Sequence, residues 1–533
     1  MVAWDLLRML ISVTVVTTHA QFQCPDMAPH CTCSERVAWW SLQLDYVKLK
    51  TVNCSHNKLA EIPDLSPLSE VSFDVLLLNN NNIKHLKRSN FANISVTEIV
   101  LRKNPLKQID TDVFQDLADD LQSLDMDSDR IKIDSGLPFL RGLHNLKVLD
   151  LGYNQLKNKF KSFPPGIFSG LNLKSLRTLT LQALQMSRLD PGTFQGIENL
   201  EQLDLSFNFL FEFPKEVLTL KNLKDLKLFT NDMGQLLNNT CKGLTKLRQL
   251  LIGVNEIEFI DNAAFRDLDN SIVELNLYHN PLYKVPTEAI RNLTKLQSLS
   301  LVKTYLNEIE NGSFVGEYKL KELHLDLNPD LTFDNEGMFY GIEDSLEVLY
   351  LRSLNLTQLP LDVLTRLEKL RYLDASNNAF NNIDKHFFKG LHLSNIQLTW
   401  NKIKHVDHMA FQDFHKGVIL NLHHNMLSDI DFILEVEACT FDEVLVTGNS
   451  IKCDCPLEEA LNSGRVAWQV VGECYVDETD NRYDFKDPSL MKYLHTKCPK
   501  TSPKTSCFEA APVSASEHLK LMHFLYLLWC ALI

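Results

Sequence analysis

The chain has 533 residues, 12 cysteines and a formal net charge of −15 at pH 7. This acidic balance argues against a nucleic-acid-binding surface, which needs clustered Lys and Arg side chains. The sequence contains no Walker loop, G-x-S-x-G elbow, H-E-x-x-H helix or dinucleotide-binding fingerprint, so we expect neither enzyme activity nor a cofactor.

The first twenty residues have the composition of a secretory signal. Arg8 precedes an apolar run at 9–16, and Thr18-His19-Ala20 places small residues at the two positions that a signal peptidase reads. The run is far shorter than the ~20 residues needed to cross a membrane. We therefore predict a signal peptide at 1–20 and a mature protein whose cysteines fold in an oxidising compartment.

Cysteines cluster in the segment that follows, residues 21–72. One of them, Cys54, takes the place of the second leucine in a strand pattern that begins at Leu49; the others are Cys24, Cys31 and Cys33. The end of a repeat array exposes apolar edge and unpaired strand groups. We therefore predict that residues 21–72 form a cysteine-rich N-terminal cap with its own first strand.

Residues 73–451 contain sixteen copies of one pattern, whose clearest copy is L-x-x-L-x-L-x-x-N-x-L at 200–210. The copies recur about every 24.5 residues, within the leucine-rich-repeat range. The leucines point inward from a short strand, and the asparagine bonds to backbone groups of the turn. The asparagine position holds Asn81, Asn104, Asn154, Asn208, Asn231, Asn255, Asn280, Asn328, Asn378, Asn401, Asn425 and Asn449; the exceptions are Asp129, Leu184, Thr304 and Leu354.

A second apolar column follows the strands and is expected to form a stacked spine, because one copy cannot bury its apolar face alone. Cys241 stands at one position of this column, where its neighbours have phenylalanine, and we expect a buried, inert thiol there. The phenylalanines are Phe91, Phe114, Phe168, Phe194, Phe265, Phe314, Phe339, Phe388 and Phe411.

The last strand is followed by a second cysteine cluster over residues 452–499, which predicts a C-terminal cap; its cysteines are Cys453, Cys455, Cys474 and Cys498. Residues 500–518 have the composition of a linker, and 519–533 form an apolar tail. Fifteen helical residues would reach about 22 Å, less than the ~30 Å hydrocarbon core. Small residues before such a tail predict a glycolipid-anchor signal with attachment at Ser514. A short membrane span and a secreted product remain alternatives.

Six Asn-x-Ser/Thr sequons are plausible glycan sites in a secreted chain. We expect none of them on the outward positions of the strand ladder. The six asparagines are Asn53, Asn93, Asn238, Asn292, Asn311 and Asn355.

The repeats and their flanking cysteines resemble the extracellular leucine-rich-repeat family with cysteine-rich caps, the family of the Nogo receptor, connectin, chaoptin and Toll ectodomains. The resemblance implies an α/β solenoid, a horseshoe with a parallel β-sheet on its concave face and disulfide-bonded caps. It also implies the pairs Cys24–Cys33, Cys31–Cys54, Cys453–Cys474 and Cys455–Cys498. Cys439 and Cys507 are left to pair with each other or across a dimer.

The pattern also identifies the side chains that point outward from the strands, spaced ~4.8 Å from copy to copy. Aromatic side chains on a solvated sheet are buried only by a partner, and interface hot spots are rich in Tyr, Trp and Arg. The alternative, without ligand binding, is that the aromatics pack on each other and the carboxylates form a solvated face. The candidate ligand-binding residues are Asp125, Asp127, Asp150, Tyr153, Asp204, Phe207, Phe229, Tyr278, Tyr350, Arg352 and Trp400.

Four side chains among the outward positions are histidines: His279, His324, His423 and His424. They come from separate copies or adjoin in one strand, so we predict no metal site.

The repeats, the caps and the outward side chains together lead to the hypothesis of a cell-surface recognition or adhesion protein that binds an extracellular protein ligand or co-receptor through the concave face. It would sit on the outer side of the plasma membrane through a glycolipid anchor. The alternatives are an innate-immune co-receptor for microbial lipid or glycan and a secreted matrix protein.

Overall fold

The computed structural model describes residues 31–39, 46–133, 136–156, 161–476 and 481–498. The predicted signal peptide, the linker, the apolar tail and Ser514 lie outside these described residues. The chain divides into two compact units, Met1–Asn276 and Leu277–Ile533. In its described part, each unit is a solenoid in which successive copies stack through short parallel strands.

The first unit contains a sheet whose strands pair in parallel register. Leu179 pairs with Leu149 on one side and with Leu203 on the other, so equivalent leucines line up from copy to copy. One antiparallel strand, Thr32–Trp39, covers the N-terminal end of the sheet by pairing with Tyr46–Asn53. The other strands are Val75–Leu77, Glu98–Val100, Ser123–Asp125, Val148–Asp150, Thr178–Thr180, Gln202–Asp204, Asp225–Lys227, Gln249–Leu251 and Glu274–Asn276.

The second unit has the same construction. Leu349 pairs with Leu323 and with Leu373, again in parallel register. One irregularity, between Val418 and Ile419, shifts the register toward the last copies. The strands are Ser298–Ser300, Glu322–His324, Val348–Tyr350, Tyr372–Asp374, Asn395–Gln397, Val418–Asn421, Phe441–Leu445 and Gln469–Val471.

The asparagine column joins each copy to the one before it. Asn208 is 2% exposed, and its side-chain oxygen accepts the N–H groups of Leu184 and Met186, both at 3.0 Å. Its side-chain nitrogen donates to the carbonyl oxygens of Leu181 and Leu205 at 3.1 and 2.9 Å. A strand of three residues is too short to be stable alone, so these buried bonds help to hold neighbouring copies in register.

A phenylalanine spine packs on the other side of the strands. Phe91 and Phe114 have ring centroids 5.3 Å apart, and those of Phe314 and Phe339 are 6.5 Å apart. Cys241 is buried within this spine as a free cysteine, and burial raises the pKa of its thiol to about 12. A thiol that stays protonated and inaccessible is unreactive, which agrees with the sequence-based expectation.

The remaining elements are short and lie mostly between the strands. Paired two-residue strands are His85–Leu86 with Gln108–Ile109, Ser162–Phe163 with Arg188–Leu189, Gln235–Leu236 with Phe259–Ile260, and Asn382–Ile383 with His405–Val406. The α-helices are Thr287–Ile290, Leu361–Leu364, Phe432–Glu435, Cys455–Asn462 and Pro488–Lys497. The 3₁₀ helices are Ser66–Leu68, Arg88–Asn90, Gln115–Leu117, Pro138–Leu140, Lys215–Thr219 and His408–Phe411.

Disulfides bind the caps at both ends. The pairs Cys31–Cys54, Cys453–Cys474 and Cys455–Cys498 are present, and they are three of the four pairs that the family resemblance implies. Cys33 and Cys439 are also disulfide-bonded. Their candidate partners, Cys24 and Cys507, lie outside the described residues.

The C-terminal cap adds a small sheet and two helices to the solenoid. Its strands are Ile451–Lys452, Glu473–Val476 and Asn481–Asp484. Asp454 begins the helix Cys455–Asn462, and its carboxylate accepts the N–H group of Leu457 at 3.1 Å, as an N-cap residue does. Among the described helices of the chain, none has the length and apolar composition that a membrane span requires.

Candidate ligand-binding face

The outer face of the parallel strands, together with the turn residues that follow them, is called the ladder face below. Two of its predicted aromatics stand well out in solvent, since Tyr153 is 49% and Trp400 61% exposed. Seven further candidates are half-buried: Asp125, Asp127, Asp204, Phe207, Tyr278, Tyr350 and Arg352.

Two candidates are not accessible as expected. Asp150 is 1% and Phe229 9% exposed. The Asp150 carboxylate bends back to accept the N–H group of Gly152 at 2.9 Å. Outward direction from a strand does not ensure exposure, because side chains of the adjoining copies can cover the position. Neither residue therefore offers much surface to a ligand.

The residue just before each asparagine position adopts a left-handed backbone conformation. Phe207 has φ 59°, Val254 54° and Trp400 54°. Such a conformation costs a non-glycine residue roughly 1–2 kcal/mol, and asparagine tolerates it best. We call these positions the left-handed column: His56, Asn80, Lys103, Ser128, Tyr153, Ala183, Phe207, Thr230, Val254, His279, Lys303, Leu327, Ser353, Asn377, Trp400, His424 and Gly448.

This column was not recognised from the sequence, although its place next to the asparagine was a usable signal. Because the same conformation recurs at every position of the column, it is a property of the repeat turn and does not by itself mark a binding residue. What distinguishes Tyr153 and Trp400 within the column is the exposure of their large aromatic side chains.

A substitution at Val254 tests the strain. Val254→Asn should raise the free energy of unfolding by about 1 kcal/mol, because a β-branched residue is least suited to positive φ. Urea unfolding of the two proteins measures the difference. Val302→Asn is the matched control, since Val302 is a ladder valine outside the left-handed column. Equal stabilisation of both variants would contradict the assignment of strain.

The acidic residues of the first unit are organised around their own turns. The Asp125 carboxylate accepts the N–H group of Asp127 at 3.1 Å, and the Asp127 carboxylate accepts the Ser128 hydroxyl at 2.7 Å. Beside them Asp129 occupies the asparagine column and is fully buried. Burial, with smaller contributions from the negative charges of Asp125, Asp127 and Asp150, raises the pKa of Asp129 to about 9.

In the second unit several ladder residues are interlocked. His324 stacks on Tyr350 with ring centroids 4.1 Å apart, and Arg352 Nε lies 2.7 Å from Asp374 Oδ2. Burial raises the pKa of Asp326 to about 6, opposed by the charges of Arg352 and His324. Tyr350 and Arg352 are therefore fixed in place by protein contacts, and their truncation would disturb the fold as well as any binding.

Trp400 and His424 form a separate stacked pair with centroids 4.0 Å apart and planes 14° apart. The neighbouring His423 ring is 6.4 Å from that of His424. Within the described residues, no group of three His, Cys, Asp or Glu side chains is arranged to hold a metal ion. The arrangement offers flat apolar surface flanked by polar groups, which suits non-covalent recognition.

The sequons agree with the expected placement except at one position. Asn93, Asn238, Asn292, Asn311 and Asn355 are exposed and lie outside the strands. Asn53, however, lies on the ladder face, in the strand Tyr46–Asn53 and paired with Leu77. The expectation was wrong because the cysteine-bearing strand of the cap is itself part of the sheet, so the residue between two buried positions points outward.

Comparisons with known proteins agree with this architecture. Residues 157–210, 270–329, 318–380 and 344–403 match the family described as Leucine rich repeat, and 69–137 match the BspA type Leucine rich repeat region. A crystal structure of a TLR13–ssRNA13 complex superposes with a TM-score of 0.51 at 19% identity. The match covers 82% of this chain and 62% of that one.

Among individual proteins, the chain is similar to CD180 antigen of Mus musculus, with 24% identity over 70% of this chain and 60% of that protein. It is 25% identical to Toll-like receptor 8 of Homo sapiens over 71% of this chain and 37% of the receptor. It is 27% identical to Lumican of Homo sapiens over 57% of this chain and 83% of lumican. The chain thus spans less than two thirds of the first two relatives.

The fold, its asparagine-linked copies and its disulfide-bonded ends define a capped repeat solenoid with an open face for recognition. The chain belongs to the extracellular leucine-rich-repeat family.

Proposed function

We propose that this protein is a cell-surface recognition protein that binds an extracellular protein through its ladder face. The observation that carries the proposal is the exposure of two large aromatic side chains on this face, Tyr153 and Trp400. Large aromatic side chains supply much of the energy of protein interfaces. The half-buried carboxylates Asp125 and Asp127 would favour a basic partner surface in the first unit and speed its docking.

The partner can be identified by proximity labelling around the full chain on expressing cells. Its affinity is then measured for the double variant Tyr153→Asn/Phe207→Asn. Asparagine already occupies this column at Asn80 and Asn377, so the variant should be secreted normally. Each lost aromatic anchor is worth about 2 kcal/mol, roughly thirtyfold in affinity.

Tyr340→Asn is the matched control, because Tyr340 is 56% exposed but lies off the ladder face. Its affinity should equal that of the unaltered protein. Equal losses in control and double variant, or no loss in either, would move the binding site away from the ladder face.

We also propose attachment to the plasma membrane through a glycolipid at Ser514. Phosphatidylinositol-specific phospholipase should release the full chain from expressing cells. Retention on treated cells would favour a membrane span. Protein already in the medium would favour a secreted matrix role, for which the similarity to lumican provides support. The similarity to CD180 antigen and Toll-like receptor 8 supports the alternative of an innate-immune co-receptor.

A further inference from the structure

Five exposed side chains of two adjacent copies lie together at one edge of the ladder face in the second unit. We call them the edge patch: Trp400, Lys402, Lys404, His424 and Met426. Their register follows from the asparagine column. The Asn425 oxygen accepts the N–H group of Ile403 at 3.0 Å, and its nitrogen donates to the Leu398 carbonyl at 2.9 Å.

Because Asn401 and Asn425 are equivalent, each residue of one copy lies beside its counterpart in the next. Trp400 therefore lies beside His424, and Lys402 beside Met426. A backbone bond from the Met426 N–H group to the Ile403 carbonyl, at 2.9 Å, joins the two edges.

Trp400 is supported by the next two positions of the left-handed column, His424 and Gly448. His424 stacks on the indole at 4.0 Å. The next position is Gly448, where a Cβ atom would come within 2.5 Å of His424 Nδ1. The absence of a side chain at Gly448 thus lets the imidazole lie in this position. The indole is supported by the ring of His424 while 61% of the Trp400 side chain stays exposed.

The patch joins apolar and positive groups. Met426 is 50% exposed beside the lysines, and tryptophan and methionine are enriched in the cores of protein interfaces. In the described part of the chain, neither Lys402 nor Lys404 has a carboxylate within ion-pairing distance. Asp429, which follows on the same edge, instead accepts the Ser428 hydroxyl at 2.9 Å. The patch therefore carries unneutralised positive charge on a chain whose net charge is −15.

No Asn-x-Ser/Thr sequon follows Asn355 in the sequence, so none lies within the two copies that carry the patch. A polyanionic glycan or nucleic acid would need more clustered Lys and Arg than two lysines supply. It would also leave the Met426 thioether in water. Apolar surface bordered by a few charges instead resembles the centre and rim of a protein interface.

We propose that the edge patch binds an acidic segment of a partner protein. An apolar or aromatic side chain of that segment covers Trp400 and Met426, and its carboxylates pair with Lys402 and Lys404. The inference deepens the proposed function by naming the partner chemistry at one site, and it rests on that function.

The test measures binding of the full chain to three immobilised polymers: a random copolymer of glutamate and tyrosine, polyglutamate, and heparin. The copolymer should bind most tightly, because it alone offers both rings and carboxylates. The variant Lys402→Glu/Lys404→Glu should weaken copolymer binding by about tenfold or more. Trp400→Asn should weaken copolymer binding by about tenfold and polyglutamate binding by less than about threefold.

Lys369→Glu/Lys389→Glu makes the same change of charge at exposed lysines away from this edge and should change copolymer binding by less than about twofold. Equal losses in both double variants would overturn the proposal in favour of unspecific attraction. Preferential binding to heparin, lost on Lys402→Glu/Lys404→Glu, would replace it with a glycan site. If Tyr153→Asn/Phe207→Asn loses partner binding while Lys402→Glu/Lys404→Glu does not, the proposed function stands and this inference fails.

Discussion

Asp129→Asn should stabilise the protein by about 3 kcal/mol at pH 7, with the gain growing as the pH rises. Asp129 stands where most copies have a buried asparagine. Its Oδ1 accepts the N–H group of Asn104 at 2.7 Å, as an asparagine oxygen would. Its Oδ2 is buried with no hydrogen-bond partner, at the place of the amide nitrogen. A neutral carboxyl group can donate a proton there, whereas a carboxylate cannot.

The direction of the pH dependence follows from the raised pKa of Asp129. The carboxyl has a pKa of about 9 when folded and 3.8 ordinarily. Its contribution to stability is therefore complete below about pH 4, is lost progressively as the pH rises above that value, and is fully lost above about pH 9. An amide does not titrate, so the variant should lose this part of the pH dependence.

Urea unfolding at several pH values from 4 to 9 measures the effect. Asp127→Asn is the matched control, because Asp127 is a half-buried acid two residues away whose carboxylate accepts the Ser128 hydroxyl. Because the charge of Asp127 is only a minor cause of the raised pKa of Asp129, this variant should give at most a small part of the stabilisation. Parallel pH profiles for the unaltered protein and Asp129→Asn would show that the carboxyl ionises in the folded state without cost.

Asn208→Leu should lower the free energy of unfolding by about 3–5 kcal/mol. The substitution removes the acceptor of the Leu184 and Met186 N–H groups, and each buried donor left unpaired costs about 1–3 kcal/mol. It also removes the donor to the Leu181 and Leu205 carbonyl oxygens. Leucine is the informative replacement, because Leu184 occupies the equivalent position of the preceding copy and is itself buried.

Thermal and urea unfolding of the purified full chain provide the measurement. Asn199→Leu serves as the control, because Asn199 is exposed and donates one hydrogen bond, to the Lys174 carbonyl. A change within about 0.5 kcal/mol is expected for it. A similarly small change for Asn208→Leu would mean that the asparagine column contributes little to the attachment of neighbouring copies.

Much of the fold could be predicted because the spacing of leucines and asparagines within one copy determines the strand, its buried side and the turn that follows. The leucines of copy six predict a strand with buried alternate residues, and Leu203 and Leu205 are 2% and 0% exposed. The asparagine column likewise predicts side-chain bonds to neighbouring turns, as Asn208 makes. Such features depend on spacing within a copy, which the sequence displays directly.

The candidate site was less predictable because it depends on contacts between copies. The pattern gives the direction of Asp150 but not the neighbours that cover it. It places Tyr350 on the ladder face but gives no sign of the stacking on His324. The strain at Trp400 is a backbone property of the turn, which a pattern of leucines and asparagines does not reveal.

The buried thiol of Cys241 can serve as a natural probe of local unfolding. While copy seven stays packed, an alkylating reagent cannot reach the sulfur, and a proton bound this firmly leaves almost no thiolate to react. Modification can proceed only during transient opening of that stretch. The rate of alkylation at Cys241 therefore reports how often copy seven, near the C-terminal end of the first unit, opens, with no engineered label required.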